Sequence, residues 1–177
     1  QTDKKELKTF EDEVIANKLS TLIVPNSILS YKTFKFIYPE FTSHISHPID
    51  TSVLSRFIVE YPKMEDRPID IGIFVSSHKR IVKNSKLANS ILLSPILHKY
   101  KKLIVGNDKD VVFSDDIQNA TYLPMIPNTE VIEKLKTVKI VLICSLFDAS
   151  PNTCVEAYCC GCKLLLTRNV GNSEKYD

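Results

Sequence analysis

The sequence predicts an α/β fold, a doubly wound parallel sheet with helices on both faces. One observation is the recurrence of short apolar runs, with helical periodicity in most of the segments between them. These runs lie at 69–75, 102–105, 121–124, 140–144 and 162–167. Strands that alternate with helices form parallel βαβ units. A second observation is that run 69–75 is almost continuously apolar, which is typical of a strand buried on both faces.

Three helices are predicted beside these strands. Residues 84–97 and 128–138 repeat apolar side chains at helical spacing, and a third helix covers 151–160. The dipeptide Ser150-Pro151 suits the N-cap and first helical position of this third helix. Gly161 suits the C′ position that follows its last turn.

The N-terminal part of the chain carries element patterns of its own, a helix, a strand and a second helix. They lie at 3–18, 21–24 and 27–36. Residues 41–68 show no sustained period and are punctuated by prolines, so they are interpreted as a connector. The sequence therefore predicts the end of one domain plus a connector over 1–66, and an α/β domain over 67–177 that is expected to continue beyond Asp177.

Composition and charge exclude several classes of function. The formal charge is +2 and the pI is near 8.2, whereas a nucleic-acid surface needs a concentrated basic face. No apolar run approaches the ~20 residues that span a bilayer, so no transmembrane segment is predicted. Residues 1–8 are polar and do not resemble a signal peptide, which leads us to expect a cytoplasmic protein.

The cysteines are clustered rather than spread along the chain. All five lie within residues 144–162, and their spacing does not match paired zinc-ligand motifs. We therefore predict no metal site here and expect reduced, mostly buried thiols, as in an intracellular protein.

Three loops are expected to carry the chemistry, because ligands of open parallel sheets bind at the carboxyl ends of the strands. These loops are 76–83, 106–110 and 148–153. The first holds Lys79, Arg80 and Lys83 before a helix, and such cations beside free helical N–H groups would suit a diphosphate. The alternative is a solvated polar loop.

The third loop begins at Asp148 and leads into a helix that carries Glu156, so this stretch holds two carboxylates eight positions apart. Glu156 lies between apolar neighbours, and a carboxylate in an apolar setting needs a partner. We interpret it as an acceptor for the hydroxyls of a sugar nucleotide, the alternative being a surface glutamate. Asp148 would repel a phosphate and fits better beside sugar hydroxyls.

The second loop contains an Asp-x-Asp triplet, Asp108 to Asp110. In one large fold class of glycosyltransferases such a triplet holds a divalent metal against the donor diphosphate. A metal-dependent transferase is therefore a further alternative. It rests on this triplet alone, and three-residue motifs often arise by chance.

The stretch from Asp148 through Glu156 to Gly161 resembles the Glu-x7-Glu signature of the family 4 glycosyltransferases, which have the two-Rossmann-domain GT-B fold. Residues 69–86 are similar to the first strand and loop of that family's C-terminal domain. Residues 1–50, ending in Pro48-Ile49-Asp50, are similar to the end of its N-terminal domain.

The resemblance implies a retaining, hexosyltransferase-type enzyme whose donor is a nucleotide-diphosphate sugar linked to UDP or GDP, with no cofactor and no essential metal. Glu156 would bind the ribose hydroxyls, and Asp148 would lie near the donor sugar. Arg80 and Lys83 would hold the diphosphate. Residues of the third loop would touch sugar or phosphate; they are Ser150, Asn152 and Thr153.

Two departures from the family pattern leave an alternative open. The first acid is Asp148 instead of Glu, and Ala149-Ser150-Pro151 replaces the usual glycine-rich tripeptide. The chain would supply mainly the donor-binding half and be inactive alone, with an unknown glycan, protein or lipid as acceptor. The alternative is a non-catalytic Rossmann-like binding or assembly module, which predicts that Glu156 is paired to a protein cation.

Overall fold

A computed structural model describes residues 61–171 together with Lys32, Lys35 and Phe36. The chain divides into two compact units, Gln1–His47 and Pro48–Asp177. The three described residues of the first unit are helical, in agreement with the helix predicted to run through Phe36. The patterns predicted at 3–18 and 21–24, and the Pro48-Ile49-Asp50 segment, lie outside the described residues.

A five-stranded sheet forms the centre of the second unit. Its strands are β1 (Ile69–Ser77), β2 (Lys102–Asn107), β3 (Ala120–Leu123), β4 (Val138–Ile143) and β5 (Lys163–Leu166). They are ordered β3-β2-β1-β4-β5, and every pairing is parallel. β1 lies at the middle, with Gly72 opposite Leu103 of β2 and Val141 of β4. The predicted parallel sheet is therefore confirmed.

Helices accompany the sheet on both faces. The α-helices are α1 (Ser85–Leu92), α2 (Lys109–Val112), α3 (Asn128–Leu135) and α4 (Asn152–Cys159), and short 3-10 turns lie at Met64–Asp66, Ile81–Lys83 and Pro95–Leu97. On one face, Ile132 of α3 and Ala157 of α4 pack in a core with Phe74 of β1. On the other, Leu92 of α1 packs with Ile73 and its neighbours. Helices on both faces make the sheet doubly wound, as predicted.

Two predicted helices are shorter than the sequence pattern indicated. The helix predicted over 84–97 ends at Leu92, because Ser94 precedes a proline and takes an extended conformation with ψ 129°. Residues 95–97 form a separate 3-10 turn. The helix predicted over 128–138 ends at Leu135, because Val138 already begins β4 and is fully buried.

The ends of α4 correct one prediction and confirm another. Pro151, not Ser150, occupies the N-cap, with φ −69° and ψ 124°, and no side chain caps the helix there. Gly161 has φ +70°, a left-handed conformation that favours glycine. Its N–H donates to Tyr158, and the next N–H, of Cys162, donates to Ala157. This paired arrangement is a Schellman motif, so the predicted C′ glycine is confirmed.

Two buried cations tie the ends of the elements together. The Arg67 guanidinium donates to the carbonyls of Val138 and Cys160, both at 2.7 Å, and also to the Sγ of Cys162. It therefore joins the start of β4 to the end of α4. The Nζ of Lys102 donates to three carbonyls at 2.6 to 2.8 Å, those of Leu97, Tyr100 and Gln118. Each buried cation has its N–H groups satisfied by backbone oxygens, which offsets the cost of burial.

All five cysteines are free thiols, and four of them are buried. Burial raises the pKa of Cys144 to about 11 and that of Cys154 and Cys160 to about 12. These thiols therefore remain protonated and pack as small apolar groups, as expected. Cys159, the last residue of α4, is the one that is only half-buried.

Candidate functional site

The point where the strand order reverses lies between β1 and β4. The chain continues from β1 to β2 on one side of the sheet, whereas β4 pairs with β1 on the other. In sheets of this kind a crevice opens outside the carboxyl ends of the strands at such a point. Here two adjoining pockets lie there, and both are lined by Phe74, Val75 and Ser76 at the end of β1.

The larger pocket has a volume of about 520 Å³ and mainly polar walls. Arg80 and Lys83 reach it from the loop after β1, and Asp148 from the loop after β4. The start of α4 completes the wall with Ser150, Asn152 and Thr153. The structure therefore brings together six of the seven predicted site residues in one pocket.

The smaller pocket has a volume of about 260 Å³ and mainly apolar walls. Its apolar residues come from the strand ends and from the segment before and within α3. They are Phe74, Val75, Val105, Met125, Ile126 and Val131. Its polar lining includes Asn128 of α3 and Glu156 of α4, the seventh predicted site residue. Asn152 and Thr153 line both pockets, so the two adjoin at the start of α4.

Glu156 lies in the second turn of α4 and is half-buried. The Nδ2 of Asn128 donates to its Oε1 at 2.7 Å. Burial raises the pKa of the Glu156 carboxyl, and the Asn128 hydrogen bond offsets this in part. Among the described residues, the partner of Glu156 is this amide and not a cation. The alternative of a binding or assembly module predicted a cation.

Asp148 and Lys83 form an ion pair across the larger pocket. Their side chains are 17% and 20% exposed, so water screens the pair only in part. The backbone of Asp148 is fixed as well, since its N–H donates to Asn169 and its carbonyl accepts from Gly171. From the sequence, Lys83 was predicted to bind the diphosphate and Asp148 to lie near the sugar. Their direct contact was not predicted.

The start of α4 contributes backbone groups to the larger pocket. The first N–H groups of an α-helix have no partner within the helix, and they carry the positive end of its dipole. In α4 these groups belong to Asn152 and Thr153, which line the pocket. An anion held by Arg80 would therefore also meet helical N–H groups.

Lys79 lines neither pocket, although it was predicted from the sequence to act with Arg80 and Lys83. Its Nζ pairs with Asp108 at 2.9 Å, and Asp108 also accepts from the Ser77 hydroxyl at 2.6 Å. These partners lower the pKa of the Asp108 carboxyl. No group of three metal-ligating side chains occurs among the residues that the structure describes. The Asp108 carboxylate thus has two protein partners, and the alternative of a metal-dependent transferase stays a hypothesis.

His78 fastens the loop that carries Arg80 and Lys83. The side chain is 3% exposed, its Nδ1 lies 3.0 Å from the Ser85 hydroxyl, and its ring packs edge-on against Phe113. The backbone N–H of His78 donates to Asn107 at 3.0 Å. Burial lowers the pKa of His78 to about 4, and the Val105 carbonyl and the Asp108 carboxylate offset this only in part.

This lowered pKa gives a pH prediction. Because unfolded histidine has a pKa near 6.5, the unfolded chain binds the proton more readily than the folded one. The stabilising contribution is complete above pH 6.5, is lost as the pH falls towards 4, and changes no further below that. We expect the unfolding free energy of the wild type to fall by about 3 kcal/mol more than that of His78→Gln between pH 7 and 4.

Urea titrations of both proteins at several pH values would measure this difference. His98→Gln serves as the matched control, because His98 is only half-buried. Parallel pH profiles for the wild type and His78→Gln would contradict the prediction.

Several site residues were missed by the sequence argument. Asn128 was predicted only as the start of a helix. Nothing in its local pattern indicated a hydrogen bond from α3 to Glu156 on the neighbouring helix α4. Met125 and Ile126 were left unassigned, although they follow a predicted strand at the carboxyl edge of the sheet. That position was the signal that could have placed them at the crevice.

No protein-family model matches the chain, and no curated protein matches it in sequence. Solved structures do match its fold. WaaG, a glycosyltransferase involved in lipopolysaccharide biosynthesis, is similar with a TM-score of 0.66 and 14% identity over 86% of this chain and 46% of its own. A glycosyltransferase from Rickettsia africae ESF-5 gives a TM-score of 0.65 and 14% identity over 89% and 47%. An alpha-glucosyltransferase in complex with UDP and a 13-mer DNA gives 0.55 and 12% over 83% and 45%.

These likenesses establish the fold class. The described sheet and its helices have the Rossmann-like architecture found in GT-B glycosyltransferases, as predicted. The chain spans about half the length of the solved structures that it matches. Among the described residues, no helix is both long enough and apolar enough to cross a membrane.

Proposed function

We propose that this chain supplies the donor-binding half of a retaining glycosyltransferase that uses a nucleotide-diphosphate sugar. The observation that carries the proposal is that two adjoining pockets, one mainly polar and one mainly apolar, lie at one crevice. The larger, polar pocket offers cations and helical N–H groups, whereas the smaller, apolar pocket offers hydrophobic side chains and one acceptor carboxylate. A nucleotide sugar has the same division, with a diphosphate and sugar at one end and a base and ribose at the other.

The residues take roles that follow from their positions. Glu156 accepts hydrogen bonds from the ribose hydroxyls, which replaces solvent around a half-buried carboxylate. Arg80 and Lys83 bind the diphosphate together with the N–H groups at the start of α4. Asp148 lies beside the sugar. During transfer the nucleoside diphosphate leaves with developing negative charge, and this set of positive groups stabilises it without a metal.

The finer assignments are parts of the same proposal. We assign the chain to family 4 on the Asp148 to Gly161 motif, and residues 67–177 to the donor domain. UDP or GDP is the expected nucleotide, and one of the matching solved structures is described in complex with UDP. The acceptor is a glycan, protein or lipid. It is expected to bind mainly to the N-terminal domain of the GT-B fold, so that this chain alone is inactive. We expect a cytoplasmic location.

The test is direct titration of the 177-residue chain with UDP, GDP and ADP, followed by NMR or calorimetry. We expect one of the three to bind with a dissociation constant below about 1 mM, the weak end of specific affinities. Arg80→Gln is expected to weaken binding of that diphosphate about tenfold and leave binding of the matching nucleoside unchanged, since one charge-assisted contact is lost. Absence of binding by all three nucleotides at millimolar concentration would overturn the proposal.

One observation favours a second candidate, a Rossmann-like binding or assembly module without catalytic activity. Lys83, a proposed phosphate ligand, is already paired with Asp148. If that pair is purely structural, the nucleotides would not bind and Lys83→Gln would destabilise the fold. Nucleotide binding that is lost in Arg80→Gln at unchanged stability would exclude this second candidate.

A further inference from the structure

The ion pair between Lys83 and Asp148 has a consequence for the ligand that enters the polar pocket. Among the side chains that line the two pockets, Arg80 and Lys83 are cationic, and Asp148 and Glu156 are anionic. The formal charges of these four side chains sum to zero, whereas a free diphosphate carries at least two negative charges. The cleft therefore lacks the excess positive charge that would bind a free diphosphate tightly.

We propose that Asp148 lowers the affinity of the cleft for the diphosphate group by holding Lys83, and so favours release of the nucleoside diphosphate product. This inference rests on the proposed function, since it concerns the same cleft. It assigns Asp148 a role in product release that differs from that of Glu156, which favours binding.

A diphosphate can meet Lys83 in two ways. If the phosphate draws the ammonium away, Asp148 is left as a carboxylate that is 17% exposed and has lost its cation. If Lys83 bridges both groups, the carboxylate and the phosphate lie within a few ångströms of each other and repel. Both arrangements cost binding free energy.

Asp148 has little freedom to escape this cost. Its N–H donates to the Asn169 carbonyl at 3.1 Å, and its own carbonyl accepts from Gly171 at 2.7 Å. The segment after β5 thus holds the backbone of Asp148 at the pocket wall. An intact donor differs from the free diphosphate in one respect that matters here, because its sugar hydroxyls can donate to the carboxylate as Lys83 moves away.

The experiment compares wild type and Asp148→Asn with two probes, UDP (or GDP or ADP, if that is the nucleotide bound) and inorganic pyrophosphate. The asparagine keeps the size of the side chain and removes its charge. We expect Asp148→Asn to bind both probes about tenfold more tightly, an effect that corresponds to one screened charge interaction. Affinity for the nucleoside without phosphates is expected to stay unchanged.

Two controls separate this effect from a general change of charge. Glu133→Gln removes the negative charge of an exposed side chain of α3 that lines neither pocket, and is expected to change neither affinity. In the Lys83→Gln background, Asp148→Asn is expected to have a smaller effect, because the ion pair is already absent.

The possible outcomes are distinguishable. If the wild type binds the nucleotide and Asp148→Asn binds it equally or more weakly, the inference is overturned and the proposed function stands. If neither protein binds a nucleotide, the proposed function and the claim about product release are overturned together, and pyrophosphate decides only the claim that Asp148 lowers the affinity of the cleft for a diphosphate group. Tighter pyrophosphate binding by Asp148→Asn then supports it, and equal or absent binding overturns it.

Discussion

Arg67→Met is expected to lower the free energy of unfolding by about 4 kcal/mol, because two buried carbonyls lose their charged donor at about 2 kcal/mol each. The guanidinium is 3% exposed and donates to the carbonyls of Val138 and Cys160. Methionine fills similar space but removes the N–H donors of both oxygens, and the Val138 carbonyl keeps the weaker Cys162 thiol as a donor. The start of β4 and the end of α4 would lose their common anchor. Urea denaturation followed by circular dichroism measures the loss.

Arg168→Met is the matched control, because the same chemical change is made at an exposed arginine. We expect that variant to change the unfolding free energy by less than about 0.5 kcal/mol. Arg67→Lys separates charge from geometry, since lysine keeps the charge but cannot present two N–H groups to two carbonyls in the same way. Equal stability of Arg67→Met and Arg168→Met would show that the buried network contributes nothing.

Glu156→Ala is expected to weaken nucleoside diphosphate binding at least about 100-fold, because a carboxylate that accepts two ribose hydroxyls contributes about 3 kcal/mol. Glu156→Gln keeps one acceptor oxygen and is expected to lose about tenfold. Titration of each variant with the nucleotide that the wild type binds gives the ratios. Glu133→Ala, on the exposed side of the neighbouring helix α3, is the control and should bind like the wild type.

Stability measurements distinguish a binding role of Glu156 from a structural one. Burial raises the pKa of this carboxyl, so the ionised form is disfavoured in the folded chain. Replacing it by glutamine is therefore expected to leave the unfolding free energy unchanged or to raise it. A variant that lost binding and stability together would indicate that Glu156 serves the fold, contrary to its proposed role.

The order of strands and helices could be predicted from the sequence because parallel strands buried on both faces leave an unbroken apolar pattern. The run that begins at Ile69 became β1, and that at Lys102 became β2. Boundaries were less predictable. Val138 reads as the last apolar position of a helix, yet it begins β4, because side chains of either element can fill the same core.

The candidate site was predictable to the extent that topology fixes it. The rule that ligands bind at the carboxyl ends of strands was enough to bring Arg80 and Asp148 to one crevice. Contacts between side chains of different loops were not predictable from one sequence. The Lys83–Asp148 pair and the Asn128–Glu156 hydrogen bond join residues 65 and 28 positions apart, and no local pattern encodes such distances.

Because four of the five cysteines are buried, a thiol reagent can label the chain selectively at the fifth. Thiol reagents attack the thiolate, and only an accessible sulfur reacts quickly. With the other four thiols buried, a maleimide dye would label Cys159 first, at mildly alkaline pH because burial also raises the pKa of this thiol. The label would lie at the end of the helix that carries Glu156, one turn away, and its fluorescence would report ligand occupancy without any engineered cysteine.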